Sequence, residues 1–80
     1  MNTRDAVANR ILELCRKKGI TPNALSYQAG VPQSTIKSIL NNESQNPGIV
    51  TIKKLCDGLD ITLPDFFNTD AFRTLEQEIK

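Results

Sequence analysis

Apolar residues recur at every third or fourth position along most of the chain, which is the spacing of one helix face. Val7, Ile11, Leu14 and Cys15 stand at i, i+4, i+7 and i+8 and predict a helix over residues 3–18. Similar spacing, together with capping residues, predicts four more helices, over residues 22–29, 33–40, 49–59 and 63–67. No segment alternates apolar and polar residues over a useful length, so the pattern predicts no sheet. The predicted fold class is all-α, a compact five-helix domain over residues 1–69.

Residues suited to helix ends bound these segments. Thr21 is a good N-cap, and Pro22 fits the first helical position, where no amide hydrogen is needed. Gly19 follows three basic residues, and such a glycine commonly ends a helix in the left-handed conformation. Gly30 ends the second helix, and Thr62 caps the fifth.

The C-terminal tail, residues 70–80, places Phe72, Leu75 and Ile79 at i, i+3 and i+7. This spacing predicts a short amphipathic C-terminal helix. A narrow apolar stripe on a short helix needs a partner surface. The tail therefore either folds back on the bundle or pairs with a second copy of the chain.

The fourth helix brings five apolar side chains to one face, and we expect all of them to be buried: Ile49, Ile52, Leu55, Cys56 and Leu59. Cys56 and Cys15 both belong to such faces and are far apart in the sequence. The chain has no histidine and no C-x-x-C pair, so no zinc site is expected. Both cysteines are expected to be reduced and to fill the core as small hydrophobes rather than to act in redox chemistry.

The charge is unevenly distributed along the chain, although the net charge is only +1. Residues 1–56 contain eight basic and three acidic residues, a net +5. Residues 57–80 contain two basic and six acidic residues, a net −4. This division permits a polyanion to bind one face only. The alternative is the ordinary variation of charge along any chain.

Several classes of function have no support in the sequence. There is no apolar run of 18 residues and no secretory signal at the N-terminus, which predicts a cytoplasmic protein without a membrane span. No Ser/His/Asp set, carboxylate pair or phosphate-cradling glycine loop is present. We therefore expect no enzyme activity, no cofactor and no metal.

The second and third helices, joined by a tight turn with a glycine, form a helix-turn-helix candidate over about residues 22–41. Such a unit requires a small residue where its helices cross, a glycine that adopts positive φ in the turn, and apolar residues beneath both helices. These requirements fall on six positions, and the sequence meets all six, at Leu25, Ser26, Gly30, Val31, Ile36 and Ile39.

Three segments resemble one family: RILELCRKKGIT, ALSYQAGVPQSTIKSILNN and NPGIVTIKKLCDGLDITLPDFF. They are similar to the Xre/Cro-type, lambda-repressor-like helix-turn-helix domains, and the resemblance covers about residues 7–67. The resemblance implies a bacterial or phage transcription regulator, most simply a repressor. It further implies a homodimer that binds a double-stranded DNA operator.

In domains of this kind the second helix of the unit, here residues 32–41, enters the major groove with its N-terminus first. We therefore expect base readout from the polar face of that helix. The side chains in question are Gln33, Ser34, Lys37 and Ser38. Gln33 is the best candidate because an amide can pair bidentately with adenine. On a helix outside this context, the same residues are simply a solvated surface.

Contacts with the DNA backbone are expected from helix starts and from the end of the recognition helix. The candidates are Asn23, Tyr27, Thr35, Asn41, Asn46 and Thr51. Lys53 and Lys54 either add electrostatic support or form a solvated face.

Two positions depart from the pattern of the family. Pro22 stands where a glutamine often touches the DNA backbone, and Pro32 replaces the usual serine cap of the recognition helix. The loss of the glutamine favours an alternative function, in which the fold is a protein-interaction module or an antitoxin-like regulator that acts with a partner protein. Salt distinguishes the two, because affinity that depends on phosphate contacts falls steeply with salt.

Overall fold

The computed structural model describes residues 1–41 and 46–79. These residues form helices without any strand, which confirms the all-α prediction. The first five helices have the predicted bounds, and a sixth is short. They are α1 (Thr3–Lys18), α2 (Pro22–Ala29), α3 (Gln33–Leu40), α4 (Ile49–Leu59), α5 (Leu63–Phe67) and α6 (Asp70–Arg73).

The capping residues act as predicted. The Thr21 hydroxyl accepts a hydrogen bond from the amide of Ala24 at 3.1 Å, and the Thr62 hydroxyl accepts one from the amide of Asp65 at 3.2 Å. Gly19 follows α1 in the left-handed conformation with φ of 68°. Each cap satisfies a backbone group that the helix itself leaves without a partner, so the chain can turn sharply between short helices.

The core lies between α1, α2, α3 and α4, and Phe66 of α5 is buried in it. Cys15 and Cys56 are both buried within it. Burial raises the pKa of both thiols, so they stay protonated at neutral pH and pack as small hydrophobes. The buried cluster consists of Val7, Ala8, Ile11, Leu14, Cys15, Leu25, Val31, Ile36, Ile39, Ile52, Leu55, Cys56, Leu59 and Phe66.

Helices α2 and α4 pack most closely, at Gly58. A Cβ added to Gly58 would lie 2.9 Å from the Cβ of Ala29 and 3.0 Å from its Cα. No real Cβ is accommodated at such a distance without movement of one helix. Gly58 therefore allows the two backbones to approach, and a small residue on each helix sets their separation.

Arg10 joins α1 to the end of α5. Its Nε and Nη2 donate to the backbone oxygens of Phe66 and Asp65, both at 2.8 Å. The remaining Nη1 pairs with the carboxylate of Glu13. The side chain of Arg10 is mostly buried, so these bonds hold α5 against α1 and satisfy two carbonyl groups at a helix end.

Phe66, Phe67 and Phe72 form an aromatic cluster beside this clamp. Phe67 packs edge to face on both others, with centroid separations of 4.9 Å. This geometry adds to the apolar burial and holds α6 on the bundle. Phe72 is thus the one residue of the predicted tail stripe that packs against the core.

The prediction of a C-terminal helix over residues 70–80 was wrong in extent, because α6 ends at Arg73. Beyond it, the amide of Glu76 donates to the carbonyl of Met1, and the Thr3 hydroxyl donates to the carboxylate of Glu78 at 2.9 Å. The tail therefore lies beside the start of α1 in an irregular conformation. A helix this short is marginal in water, and Ile79, which is 86% exposed, adds no apolar contact to extend it.

A second correction concerns Ile49, which was expected in the core. Its side chain is 58% exposed, whereas Ile52, Leu55, Cys56 and Leu59 are buried as predicted. Ile49 begins the helix at the edge of the bundle, beyond the surface that α4 shares with its neighbours. Its place in the first turn of α4 therefore leaves Ile49 exposed, although its spacing puts it on the apolar face.

We expect Gly58→Ala to lower the free energy of unfolding by about 1–3 kcal/mol, which is typical of overpacking. The added methyl group forces α4 away from Ala29, and this cost exceeds the roughly 1 kcal/mol that alanine contributes as a helix former. Urea denaturation followed by circular dichroism measures the change.

Gly48→Ala is the matched control, because a Cβ at Gly48 meets no atom within 4 Å. It weakens only the N-cap of α4, at a cost of about 1 kcal/mol or less. Equal stability of wild type and Gly58→Ala would contradict the close approach of α2 and α4.

The Arg10–Glu13 pair predicts a dependence of stability on pH. The hydrogen bond from Arg10 lowers the pKa of Glu13, with smaller contributions from the charges of Lys17 and Arg16. A lowered folded-state pKa contributes stability above the unfolded-state value of about 4.3, and this contribution disappears as pH falls through the folded-state pKa.

We therefore expect Glu13→Gln to be slightly less stable than wild type at pH 7 and equally stable well below pH 4. The difference is under about 1 kcal/mol, because Glu13 is partly exposed to solvent. Thermal unfolding across pH measures it, and a difference that grows toward low pH would contradict the pair. Arg10→Met is the companion variant, and it costs more because α5 also loses two hydrogen bonds.

Candidate nucleic-acid interface

The turn between α2 and α3 has the geometry that a helix-turn-helix unit requires. Gly30 adopts a left-handed conformation with φ of 66°, and the amide of Val31 donates to the carbonyl of Ser26 at 3.1 Å. The hydroxyl of buried Ser26 donates to the carbonyl of Asn23 at 2.6 Å, so no polar group is left unsatisfied where the helices cross. The other apolar positions of the unit are buried as predicted, namely Leu25, Val31, Ile36 and Ile39.

Burial of Ile36 and Ile39 turns the polar side of α3 away from the bundle. Ser34 and Lys37 are exposed, and Gln33 and Ser38 are partly exposed. Residues three and four apart are neighbours on a helix surface, so the four predicted readout side chains adjoin one another. Within the described part of the chain none of the four has a hydrogen-bond partner, which leaves their donors and acceptors available.

The remaining candidates on α3 lie at its two ends. Thr35 is partly exposed in the first turn, and its amide donates to the carbonyl of Pro32 at 3.0 Å. Asn41 is exposed directly after the helix, where its amide donates to the carbonyl of Lys37 at 2.9 Å. Both side chains therefore sit at the margins of the polar face rather than at its centre.

Helices α3 and α4 begin without the side-chain cap that α2 has. Pro32 precedes α3 with φ of −56° and ψ of 143°, and it offers no side-chain acceptor. Gly48 precedes α4 and likewise provides none. The first amides of both helices are left to other acceptors, and the helix dipole favours an anion at these positions.

The predicted backbone contacts outside α3 fall into two groups. Asn23 and Tyr27 are one turn apart on α2 and both exposed, Tyr27 at 80%. Asn46 is exposed just before α4, and Thr51 is partly exposed in its first turn. Because α2 packs on both α3 and α4, all the candidate residues lie on, or directly beside, three helices that are connected through α2.

One feature of this region has no signal in the sequence. A cleft of about 500 Å³ opens beside Asn46, with Val7, Ile52 and Phe67 among its apolar lining residues and Arg4 among its polar ones. Its walls come from the first half of α1, from α4 and the segment before it, from α5 and from the tail. Residues so distant in the chain are brought together only by tertiary packing, so local spacing does not reveal the cleft.

The charge on these elements suits an anionic ligand. Helix α3 carries Lys37 and no acidic residue. Lys53 and Lys54 are exposed on α4, although Lys53 pairs with Asp57 one turn later. A polyanion that approaches α3 therefore meets no like charge on that helix.

Two further findings limit the chemistry of the described residues. None of the helices is long and apolar enough to cross a membrane. Across residues 1–41 and 46–79, no group of three or more cysteine, aspartate or glutamate residues is placed to hold a metal ion.

Comparison with known proteins agrees with this geometry. The crystal structure of the prophage Lp1 protein 11 is similar over 94% of this chain and 100% of its own length, at 32% identity and a TM-score of 0.82. The wild-type restriction-modification controller protein C.Esp1396I is similar over 80% of this chain and 82% of its own, at 26% identity and a TM-score of 0.72. Curated protein sequences provide no significant match.

The sequence profile of the Cro/C1-type HTH DNA-binding domain matches residues 10–71. This match spans all of α1 beyond its first turns, the helix-turn-helix unit, α4, α5 and the start of α6. The buried positions of the unit, its left-handed Gly30 and its polar outward face agree with that assignment. The chain belongs to the family of Cro/C1-type helix-turn-helix DNA-binding domains.

Proposed function

We propose that the protein is a transcriptional repressor that binds a specific double-stranded DNA operator as a homodimer. The observation that carries the proposal is the outward face of α3, whose polar side chains have no partner among the described residues, on a helix that the bundle holds rigidly from behind. A rigid helix that presents unpaired donors and acceptors suits the major groove, where each base pair shows a distinct hydrogen-bonding pattern.

In this proposal the recognition helix is residues 32–41, and its first turns read bases. Gln33 pairs bidentately with an adenine, and Ser34 bonds either a base or a phosphate. Lys37, one turn later, donates to guanine or to a phosphate, and Ser38 reads an adjacent base edge. These roles require the N-terminus of α3 to point into the groove, which agrees with the absence of a side-chain cap at Pro32.

Phosphates are bound by the elements around α3. Asn23 and Tyr27 on α2 contact one strand, and Asn46 and Thr51 at the start of α4 contact the backbone with the uncapped amides of that helix. Thr35 and Asn41 bind phosphate at the two margins of the recognition helix. Contacts of this kind set the register of the protein on DNA, whereas the base contacts of α3 determine the sequence.

Repression follows from occupancy, since a protein bound across a promoter blocks other proteins from it. Two copies related by a two-fold axis place their recognition helices about 34 Å apart and read a near-palindromic site. The name of C.Esp1396I describes that protein as a controller, which supports a regulatory role for the fold.

Selection from random duplex DNA at moderate salt tests the proposal. We expect wild-type protein to enrich a near-palindromic sequence, and Gln33→Ala to lose discrimination at one position of each half-site. Loss of a bidentate contact costs about 1–3 kcal/mol of discrimination, or roughly 5- to 150-fold in relative affinity.

Gln28→Ala is the matched control, because Gln28 is an exposed glutamine on α2 that has no assigned role. It should enrich the same sequence as wild type. Absence of any enriched sequence would refute operator binding, and an unchanged preference in Gln33→Ala would refute the role of Gln33.

Salt dependence tests the phosphate contacts. We expect the logarithm of wild-type affinity to fall linearly with the logarithm of salt concentration, and Lys37→Gln to reduce the slope by about 0.9 if Lys37 binds a phosphate. Fluorescence anisotropy with a labelled operator measures both slopes. Arg73→Gln, which removes one charge from α6, should leave the slope unchanged. A flat response in the wild type would favour the protein-interaction module.

A further inference from the structure

The bundle leaves one side of α4 uncovered. Val50, Lys54 and Asp57 follow one another at i, i+4 and i+7. Ile61 lies just beyond the helix, after the left-handed Asp60, and packs in part against the core. Val50 is 66% exposed, Lys54 and Asp57 are exposed, and Ile61 is partly exposed. These four residues are called the outer stripe of α4. The opposite side of the helix is packed on the core.

The exposed apolar residues at the start of α4 need an explanation. Val50 and its neighbour Ile49 are two of five large hydrophobic residues that are exposed in the described part of the chain. A single exposed apolar side chain is ordinary. Ile49 and Val50 are adjacent and β-branched, so they do not favour the helix itself. The apolar surface that they expose is typical of a surface that another molecule covers.

The outer stripe is complementary to itself. Lys54 and Asp57 are equally distant from the midpoint of residues 55 and 56, and so are Val50 and Ile61. When two copies of α4 cross antiparallel at that midpoint, Lys54 of one copy faces Asp57 of the other, and Val50 comes to the end of the helix where the exposed part of Ile61 lies. A two-fold axis repeats each contact, which is the property of an isologous interface.

We propose that the outer stripe of α4 is the surface through which two copies of this chain associate. Two ion pairs form the centre of the contact and two apolar pairs form its ends. This proposal rests on the proposed function in one respect only, namely that the two associated copies bind an operator together. The association itself depends on the outer stripe alone.

The charges on α4 support a second copy rather than DNA as the occupant. Asp57 lies in the middle of the stripe, and Asp60 follows at the end of the helix, so a phosphate backbone would meet two carboxylates. Asp57 already pairs with Lys53 of its own helix, and its side chain is still 60% exposed. A carboxylate accepts several hydrogen bonds, which allows it to bind Lys54 of the other copy as well. Among the described residues, Lys54 has no carboxylate within 4 Å.

The size of the stripe predicts a weak association. Helix α4 has 11 residues and is therefore about 16 Å long, which provides less than the roughly 800 Å² per partner of a standard interface. Two half-sites on one DNA duplex raise the effective concentration of the two copies. Copies that associate weakly in solution are therefore mostly associated when both are bound to that duplex. Helix α4 meets α2 at Gly58, one turn beyond Lys54, and the outer stripe includes none of the predicted readout side chains of α3.

Analytical ultracentrifugation of the full chain without DNA tests the proposal, over protein concentrations from micromolar to millimolar. We expect Lys54→Glu and Asp57→Lys each to weaken self-association by about tenfold or more, because like charges then face each other. The double variant exchanges the two charges and should restore the association to within about threefold of wild type. Circular dichroism shows whether each variant is folded.

Val50→Lys and Ile79→Lys form the matched apolar pair. Both side chains are exposed in the single, unassociated chain, but only Val50 belongs to the outer stripe. We expect Val50→Lys to abolish association and Ile79→Lys to leave it unchanged. The reverse result would assign the interface to the tail and overturn the proposal, as would failure of the charge exchange to restore association or a wild type that stays monomeric at millimolar concentration.

The DNA selection is a separate experiment, so a failure of operator binding can be distinguished from a failure of the outer stripe. A wild type that associates through the outer stripe but enriches no sequence would refute operator binding alone. A wild type that enriches a sequence as a monomer would refute the outer stripe and the homodimer, and would leave sequence-specific DNA binding intact.

Discussion

The close approach of α2 and α4 at Ala29 and Gly58 determines how the rest of the molecule is arranged. Helix α2 can rest on α4 only because Gly58 has no side chain at the point of contact. The turn at Gly30 then connects α2 to α3 through only three residues and is closed by the hydrogen bond from Val31 to Ser26, so the direction of α3 follows from that of α2. A contact behind the helix-turn-helix unit therefore positions the face in front of it.

The two sides of α3 have different physical tasks. Ile36 and Ile39 contribute the burial that holds this eight-residue helix, which is too short to be stable alone. Gln33 and Lys37 contribute little to stability, because their polar groups have no partner among the described residues. Such groups are free to bond with another molecule, and the surrounding rigid helices reduce the entropy that the domain loses when it binds.

Local chemistry made most of the fold predictable. Thr21, Gly30 and Thr62 end or begin helices for reasons that involve only neighbouring residues, and all three act as predicted. The tail was harder, because the spacing of Phe72, Leu75 and Ile79 is helical although only Phe72 packs against the core through its aromatic neighbours. A pattern shows which residues could share a face, but a helix forms only where that face meets a surface.

The sequence by itself determined the five main helices, the helix-turn-helix unit and the polar residues that α3 presents, since these depend on interactions within a few positions. Only the tertiary structure decided that Ile49 is exposed, that Arg10 clamps α5 from 55 and 56 positions away, and that Val50, Lys54 and Asp57 form an uncovered side of α4. Each of these depends on which surface another helix covers. That is decided by the packing of distant residues, and periodicity along one helix contains no information about it.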